Sequence, residues 1–443
     1  MIRRTIAPTA TGLAALVALA VACTTGTPAP TAVARPSDAQ KPAATLGSSD
    51  APMGQIDDLL VLRMAAPAAQ SAYAVIEPQS GRTMIEIGEG VISNDWHTLA
   101  SVTAAGGSTK VELTPPEGGS MPTSVSVAGS WRVPTVGVAK VANGLSADGS
   151  MLVLEEAVDR APASLTSTTR FAIVSILGNR PARIVTLAGS FAFDVLSPDG
   201  RWLYLLEYLP GGDPTHYQVR RLDVMTGQLQ EGTIVDKRNI DEQMHGYALT
   251  QVAGRGGMVF TLYRGPDGAF IHALDTHNGG AFCIDLPGTK DASSDSNGEW
   301  GLVADPSGSI LYVTDPAERR VSAISLTDFS ITRSATIAVV PTIQFAKLET
   351  AKPAGGRAAL SADGKSLYVI TRAGVAVVRT ADLVTTGHLG GSGIFRSIAA
   401  GSAGAVYAVD EAGHALALSA GSGASTRIAN GTYDSIVAIV PYH

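Results

Sequence analysis

An all-β fold of many short strands, arranged as a recurring four-strand unit, is what this 443-residue sequence predicts. Three observations lead there. The composition is rich in Gly (48 residues), poor in charge (16%) and 45% hydrophobic, and no window carries a helical period, which is the pattern of short strands and turns. The stretch Leu196-Ser-Pro-Asp-Gly-Arg-Trp-Leu-Tyr-Leu-Leu-Glu-Tyr208 reads as a hairpin corner. Asp199-Gly200 supplies its tight turn, because Gly tolerates positive φ and Asp can bond its own backbone, and the alternation that follows is a half-buried strand. The same frame returns at Leu145-Ser-Ala-Asp-Gly-Ser-Met-Leu-Val-Leu154 and Leu360-Ser-Ala-Asp-Gly-Lys-Ser-Leu-Tyr-Val369.

The chain opens on Met1-Ile-Arg3-Arg4 and an apolar run from about Gly12 to Ala22, ending Ala20-Val21-Ala22-Cys23. A basic start, a short apolar core and small residues before a cleavage point make a secretory signal, since a membrane span needs roughly 20 apolar residues. The four residues ending in Cys23 resemble a bacterial lipobox, with Ala20 where Leu is usual, which implies a signal peptide over residues 1–22 and lipidation at Cys23. An ordinary secretory signal is the other reading. Cys283 is the one other cysteine, so a lipidated chain is left with no partner for an internal disulfide. Cys283 lies in the apolar run Ala281-Phe-Cys-Ile284 and reads as a buried apolar residue, without the basic neighbour that a reactive thiol needs. Residues 23–56 are rich in Thr, Pro, Ala and Ser and read as a flexible tether with a span of roughly 30 Å. Formal charge is −7; loss of Arg3 and Arg4 leaves 30 basic against 39 acidic residues, or −9. That balance opposes nucleic acid and anionic lipid head groups as partners, so membrane contact is expected through the N-terminal lipid alone.

Residues 57–443 hold the repeat. Taking Asp199 as anchor, equivalent positions are Asp95, Asp148, Asp199, Arg255, Ser307, Asp363 and Ala403, spaced 40 to 56 residues apart. The apolar residue of the following strand is Leu99, Leu152, Leu203, Val259, Leu311, Leu367 and Val406, and the next is aromatic at Tyr204, Phe260, Tyr312, Tyr368 and Tyr407. Such a period carrying four short strands is the signature of a β-propeller blade. Third and fourth strands follow in order, as at Tyr217–Asp223 and then 232–236. Leu59–Arg63, 72–81 and 83–87 read as strands two to four of a blade lacking its first, and 434–440 as a first strand lacking the others. Pairing the two ends closes the ring and removes exposed sheet edges. The count is eight blades, or seven if the region near Arg255 or the short last unit is not a full blade.

Leu311-Tyr-Val-Thr-Asp315 and Leu367-Tyr-Val-Ile-Thr371 resemble the repeat of the YVTN-type (WD40-like) β-propeller family of exported proteins, over about residues 57 to 441. The resemblance implies the propeller fold and carries no catalytic residues over, because the matched positions are turns and strand cores and the family spans scaffold proteins and lactonase-like enzymes.

In such a ring the long connections fall on one face: 156–168, 209–216, 237–246, 286–299 and 339–356. Loops on a rigid scaffold commonly carry binding chemistry, so that face is the expected functional one. Its candidate ligand-binding residues are Glu156, Glu207, Asp315 and Asp410 at the ends of second strands, with Arg264 and Arg372 beside them, Asp241 and His245 in one crossing, and Asp295 and Trp300 in another. Mixed acids and arginines there suit a polar ligand or a hard cation such as Ca²⁺. The plainer reading is that charges mark where strands leave the core. Ser293-Ser-Asp-Ser-Asn-Gly298 has calcium-loop spacing but Ser at its first position and Ala304 at its twelfth. His272, on an apolar strand, and His277 lack metal-ligand spacing. No Gly-Xaa-Ser-Xaa-Gly, Walker or dinucleotide loop occurs, and no catalytic residue, metal or cofactor is assigned. The sequence therefore points to an extracytoplasmic, membrane-anchored binding or protein-interaction module, its partner a cell-envelope protein or small polar ligand. The alternative is an exported lactonase-like hydrolase with a metal and carboxylates at the channel mouth.

Overall fold

The computed structural model describes residues 58–68, 71–93, 98–114, 123–158, 165–176, 180–209, 213–238, 244–288, 299–315, 318–338, 356–372, 374–419 and 424–441. The signal segment, Cys23, the tether, Asp241, Asp295 and the 339–355 crossing lie outside them.

Among the described residues, eight sheets of four or five strands follow one another along the chain, each built so that neighbouring strands pair antiparallel, beside one two-stranded ladder of Thr135–Val136 and Val141–Ala142. Blade one spans residues 58–87, and blades two to eight span 90–128, 131–188, 191–229, 247–285, 301–336, 358–389 and 395–427. Blade one takes its innermost strand from the other end of the chain: Tyr433–Pro441 pairs antiparallel with Asp58–Ala68, Asp58 opposite Pro441 and Leu60 opposite Ile439. The expected eight-blade ring, closed by its two ends, is thus the observed one.

The core lies between blades. Eight clusters of buried side chains each draw on two consecutive blades, and the set includes the pairs eight–one and one–two. The repeat frame explains why. In a second strand, neighbouring side chains point to opposite faces of the sheet, so Leu203 packs toward blade three and Tyr204 toward blade five. Leu367 and Tyr368 divide in the same way between blades six and eight. Turn chemistry repeats too: Ser146, Ser197 and Ser361 each donate a hydroxyl to the Asp two residues on and accept the N–H of the residue five on.

Two departures matter for function. Blade three's first strand is only Trp131–Arg132, after which the chain leaves its blade before rejoining at Leu145, which bridges Leu152. The excursion docks on the inner edge of blade five's first strand, Tyr247–Ala253: the Val138 N–H donates to the Ala248 carbonyl at 3.0 Å and the Ala139 N–H to the Leu249 carbonyl at 2.8 Å. Gly137, at φ 71°, is needed there, because a Cβ would stand 2.7 Å from the Leu249 oxygen. The excursion interrupts the first strand itself; the first-to-second turn that follows, where the Ser146 N–H donates to the Met151 carbonyl at 2.8 Å, is minimal as the repeat frame predicts. Blade four's fourth strand is broken as well. Only Gln228–Leu229 pairs regularly, Ile234 makes a lone bridge to Val219, and Met244–His245 returns to pair with His216–Tyr217.

Candidate binding cleft

The broken fourth strand opens a cleft between blades four and five. With no continuous strand along the outer edge of His216–Asp223 among the described residues, the chain crosses after the Ile234 bridge to the outer strand of blade five, Gly280–Asp285. Asp236 forms a parallel bridge with Ala281, the Lys237 N–H donates to the Ala281 carbonyl at 3.1 Å, and Asp236 Oδ2 accepts the Cys283 N–H at 2.7 Å. The Arg238 guanidinium donates to the Cys283 carbonyl. Beneath this strap lies a cleft of about 320 Å³. Tyr217, Val219 and Ile234 form one wall, Phe270 and Cys283 the other, and His245, Asp267 and Asp285 stand among its polar groups. It belongs to the long-loop face, because its rim includes Leu209 and the Gly265–Gly268 turn, both at second-to-third connections.

His245 is the sequence-predicted residue that lines this cleft, stacked edge-on against His216 at 4.2 Å. The other candidates among the described residues sit elsewhere and engage near neighbours. Glu156 pairs with Arg170, and that guanidinium lies 5.4 Å above the Trp131 ring. Glu207 accepts from Gln218 Nε2 at 2.6 Å and from Arg220. Asp315 is buried and accepts the Glu318 N–H at 3.2 Å. Asp410 accepts the His414 N–H at 2.7 Å and lies 3.0 Å from its Nδ1. Trp300 is 6% exposed, in the apolar cluster between blades five and six. Among the described residues, no three His, Cys, Asp or Glu side chains are grouped to hold a metal ion.

Cys283 and His272 are cross-strand partners, with Sγ 3.9 Å from Nδ1, and the thiol is half-buried on the cleft wall rather than fully interior. Burial pushes the His272 imidazole down to about 4, against the nearby Asp236 charge that pulls it up. An imidazole held that far below its usual range is a weak base toward the neighbouring thiol. The arrangement suits holding a ligand better than nucleophilic attack. Sequence reasoning treated the two residues separately. The available signal was a polar residue at the same register in successive apolar strands, which becomes visible once those strands are paired.

No protein-family model matches the chain, and no curated protein matches it. Solved structures do. The chain is similar to a chain of Kuenenia stuttgartiensis hydrazine synthase (13% identity, 75% of this chain and 99% of that one, TM-score 0.40). It is similar to apo AztD from Citrobacter koseri (12%, 74% and 94%, 0.38). A third is the β-propeller domain of Cps50 (Swd1) from Myceliophteria thermophila (13%, 74% and 95%, 0.40).

Proposed function

We propose that the protein is an exported, lipid-anchored propeller of the YVTN type that works as a binding module, taking a small polar ligand into the cleft between blades four and five. The observation that carries this reading is the cleft itself: about 320 Å³ on the loop face, within the range of small-molecule sites, with apolar walls and a few polar groups as such sites have. His245, Asp267 and Asp285 supply hydrogen-bonding groups, and Tyr217 and Phe270 supply aromatic surface. The lipobox-like run ending at Cys23 and the tether support an extracytoplasmic address. The lactonase-like alternative needs several carboxylates aimed at one reacting centre, whereas Glu156, Glu207 and Asp410 are each engaged by a partner on their own blade.

Thermal melting against a panel of small amines, amino acids, sugars and carboxylates tests the reading. A ligand at 100 times its Kd stabilises the fold by about 2.7 kcal/mol. At least one compound is expected to raise the melting temperature of the wild type and to lose that effect in Asp285→Arg, a substitution at an exposed residue of the cleft. Hits that act equally on both proteins would remove the cleft as their site.

A further inference from the structure

Behind the cleft, the contact between blades four and five carries a row of polar side chains. Gln251, Thr261, His272 and Cys283 stand opposite one another on the four successive strands of blade five. Asp194 meets this row from the first strand of blade four, where it is the extra residue of a β-bulge: Phe193 faces Leu205 and Val195 faces Tyr204, leaving Asp194 without a cross-strand partner. Bulges re-aim side chains, and this one turns Asp194 into the contact. Its Oδ1 lies 3.1 Å from Gln251 Nε2, the same amide nitrogen reaches Thr261 Oγ1 at 2.9 Å, and Gln251 Oε1 accepts from Asn143 of the blade-three excursion at 2.7 Å.

The row is polar but incomplete. Asp194, Tyr217, Tyr263 and His272 are all at most 2% exposed, yet Asp194 Oδ2, both phenol oxygens and His272 Nε2 have no hydrogen-bond partner among the described residues. The rings are neighbours: Tyr217 to Tyr263 is 5.8 Å and Tyr263 to His272 6.2 Å between centroids. Four orphaned polar atoms in an apolar contact are costly, and such sites are normally completed by protonation or by an ordered water.

We propose that this contact is a buried proton-binding site: Asp194 is held there as a neutral acid, completed by a bridging water, and loss of its proton loosens blades four and five around the cleft. Burial pushes the Asp194 carboxyl up from 3.8 to about 7, with the Gln251 hydrogen bond pulling the other way. The proton is therefore held on the order of a thousand-fold more tightly than by an exposed aspartate. The tyrosines and the histidine that face Asp194 are moved away from neutrality. Burial raises Tyr204, Tyr208, Tyr217 and Tyr263 and lowers His272. Cys283 lies at the far end of the row, and Asp236 beyond it is 3.6 Å from Arg238.

A group that binds its proton more tightly when folded stabilises the fold fully below its unfolded value near 4, and that stability is lost as pH rises toward 7. Melting of the full chain and of Asp194→Asn, which keeps the size of the neutral acid, tests the site from pH 4.5 to 8.5. The advantage of the variant over the wild type is expected to widen up to about pH 7, reach several degrees and then level off. A difference independent of pH would overturn the proposal. If the variant does not accumulate folded, alkylation of Cys283 in the wild type decides the matter. Its rate with iodoacetamide, divided by that of glutathione, is expected to rise as pH passes 7, and a flat ratio would overturn the proposal.

Discussion

Replacing Asp58 by Ala strikes the ring at its seam. Asp58 is 4% exposed at the start of the N-terminal strand, and its carboxylate reaches the first-to-second turn of blade eight. The Ser402 N–H donates to Oδ2 at 2.9 Å and to Oδ1 at 3.3 Å, and the Tyr407 hydroxyl lies 3.4 Å from Oδ2. A well-formed hydrogen bond to a charged acceptor contributes about 1.5–3 kcal/mol and a long one about 0.5–1. Removing the acceptor strands both donors, so Asp58→Ala is expected to cost about 2–4 kcal/mol. That is a large share of the roughly 5–15 kcal/mol that holds a domain folded. Urea unfolding followed by fluorescence reads it as a lower midpoint at unchanged slope. Tyr407→Phe removes only the weaker bond and should cost about 0.5–1 kcal/mol. In the double variant the two losses should be less than additive, because the residues share one interaction. An Asp58→Ala loss below about 0.5 kcal/mol would refute the carboxylate as a clamp of the closure, since an unmade buried bond costs more than that.

Ala403→Gly should stabilise the protein by about 0.5–1 kcal/mol, because Ala403 is exposed and held at φ 50° where blade five has Gly256 at 65°; the left-handed strain relieved exceeds the entropy added to the unfolded chain. Thermal melting would show the gain, and a loss would mean that the Ala403 methyl packs in a way its exposure does not suggest. Cys23→Ala should release the protein from the membrane fraction of its host, and unchanged retention on fractionation would remove the lipid anchor.

The ring was legible because two local devices recur along the chain, the first in blades three, four and seven. One is the Ser-Xaa-Asp-Gly turn, whose hydrogen bonds close within six residues. The other is the Leu-aromatic pair that divides between two neighbouring blades. Closure was legible from the same arithmetic of strands, because three at one end and one at the other complete a blade. The cleft was less so. His245 fell on its wall because charge and a long crossing marked that loop, but the break in blade four's outer strand came from a competition the sequence does not display: residues 232–236 read as a fourth strand, yet Asp236 finds its partners on blade five. The excursion of blade three was hidden for a similar reason. Val133–Asn143 resembles any strand-and-turn segment, and its docking edge is supplied by residues more than a hundred positions away. Cross-strand register also decides the Gln251–Cys283 row, whose members are separated by 10 or 11 residues and share no motif.

Protection of Cys283 from alkylation bears most directly on the claim that the inter-blade cleft is where this protein binds. Its thiol lines the cleft, so a bound molecule must stand between it and iodoacetamide. The compound that raises the melting temperature most is added at increasing concentration at fixed pH, and carbamidomethylation of Cys283 is followed by intact mass. Alkylation is expected to slow with the same half-maximal concentration as the melting shift, and prior alkylation is expected to abolish the shift. A compound that stabilises the protein while Cys283 reacts at its original rate, and that stabilises the alkylated protein equally well, would place binding elsewhere on the ring and contradict the account.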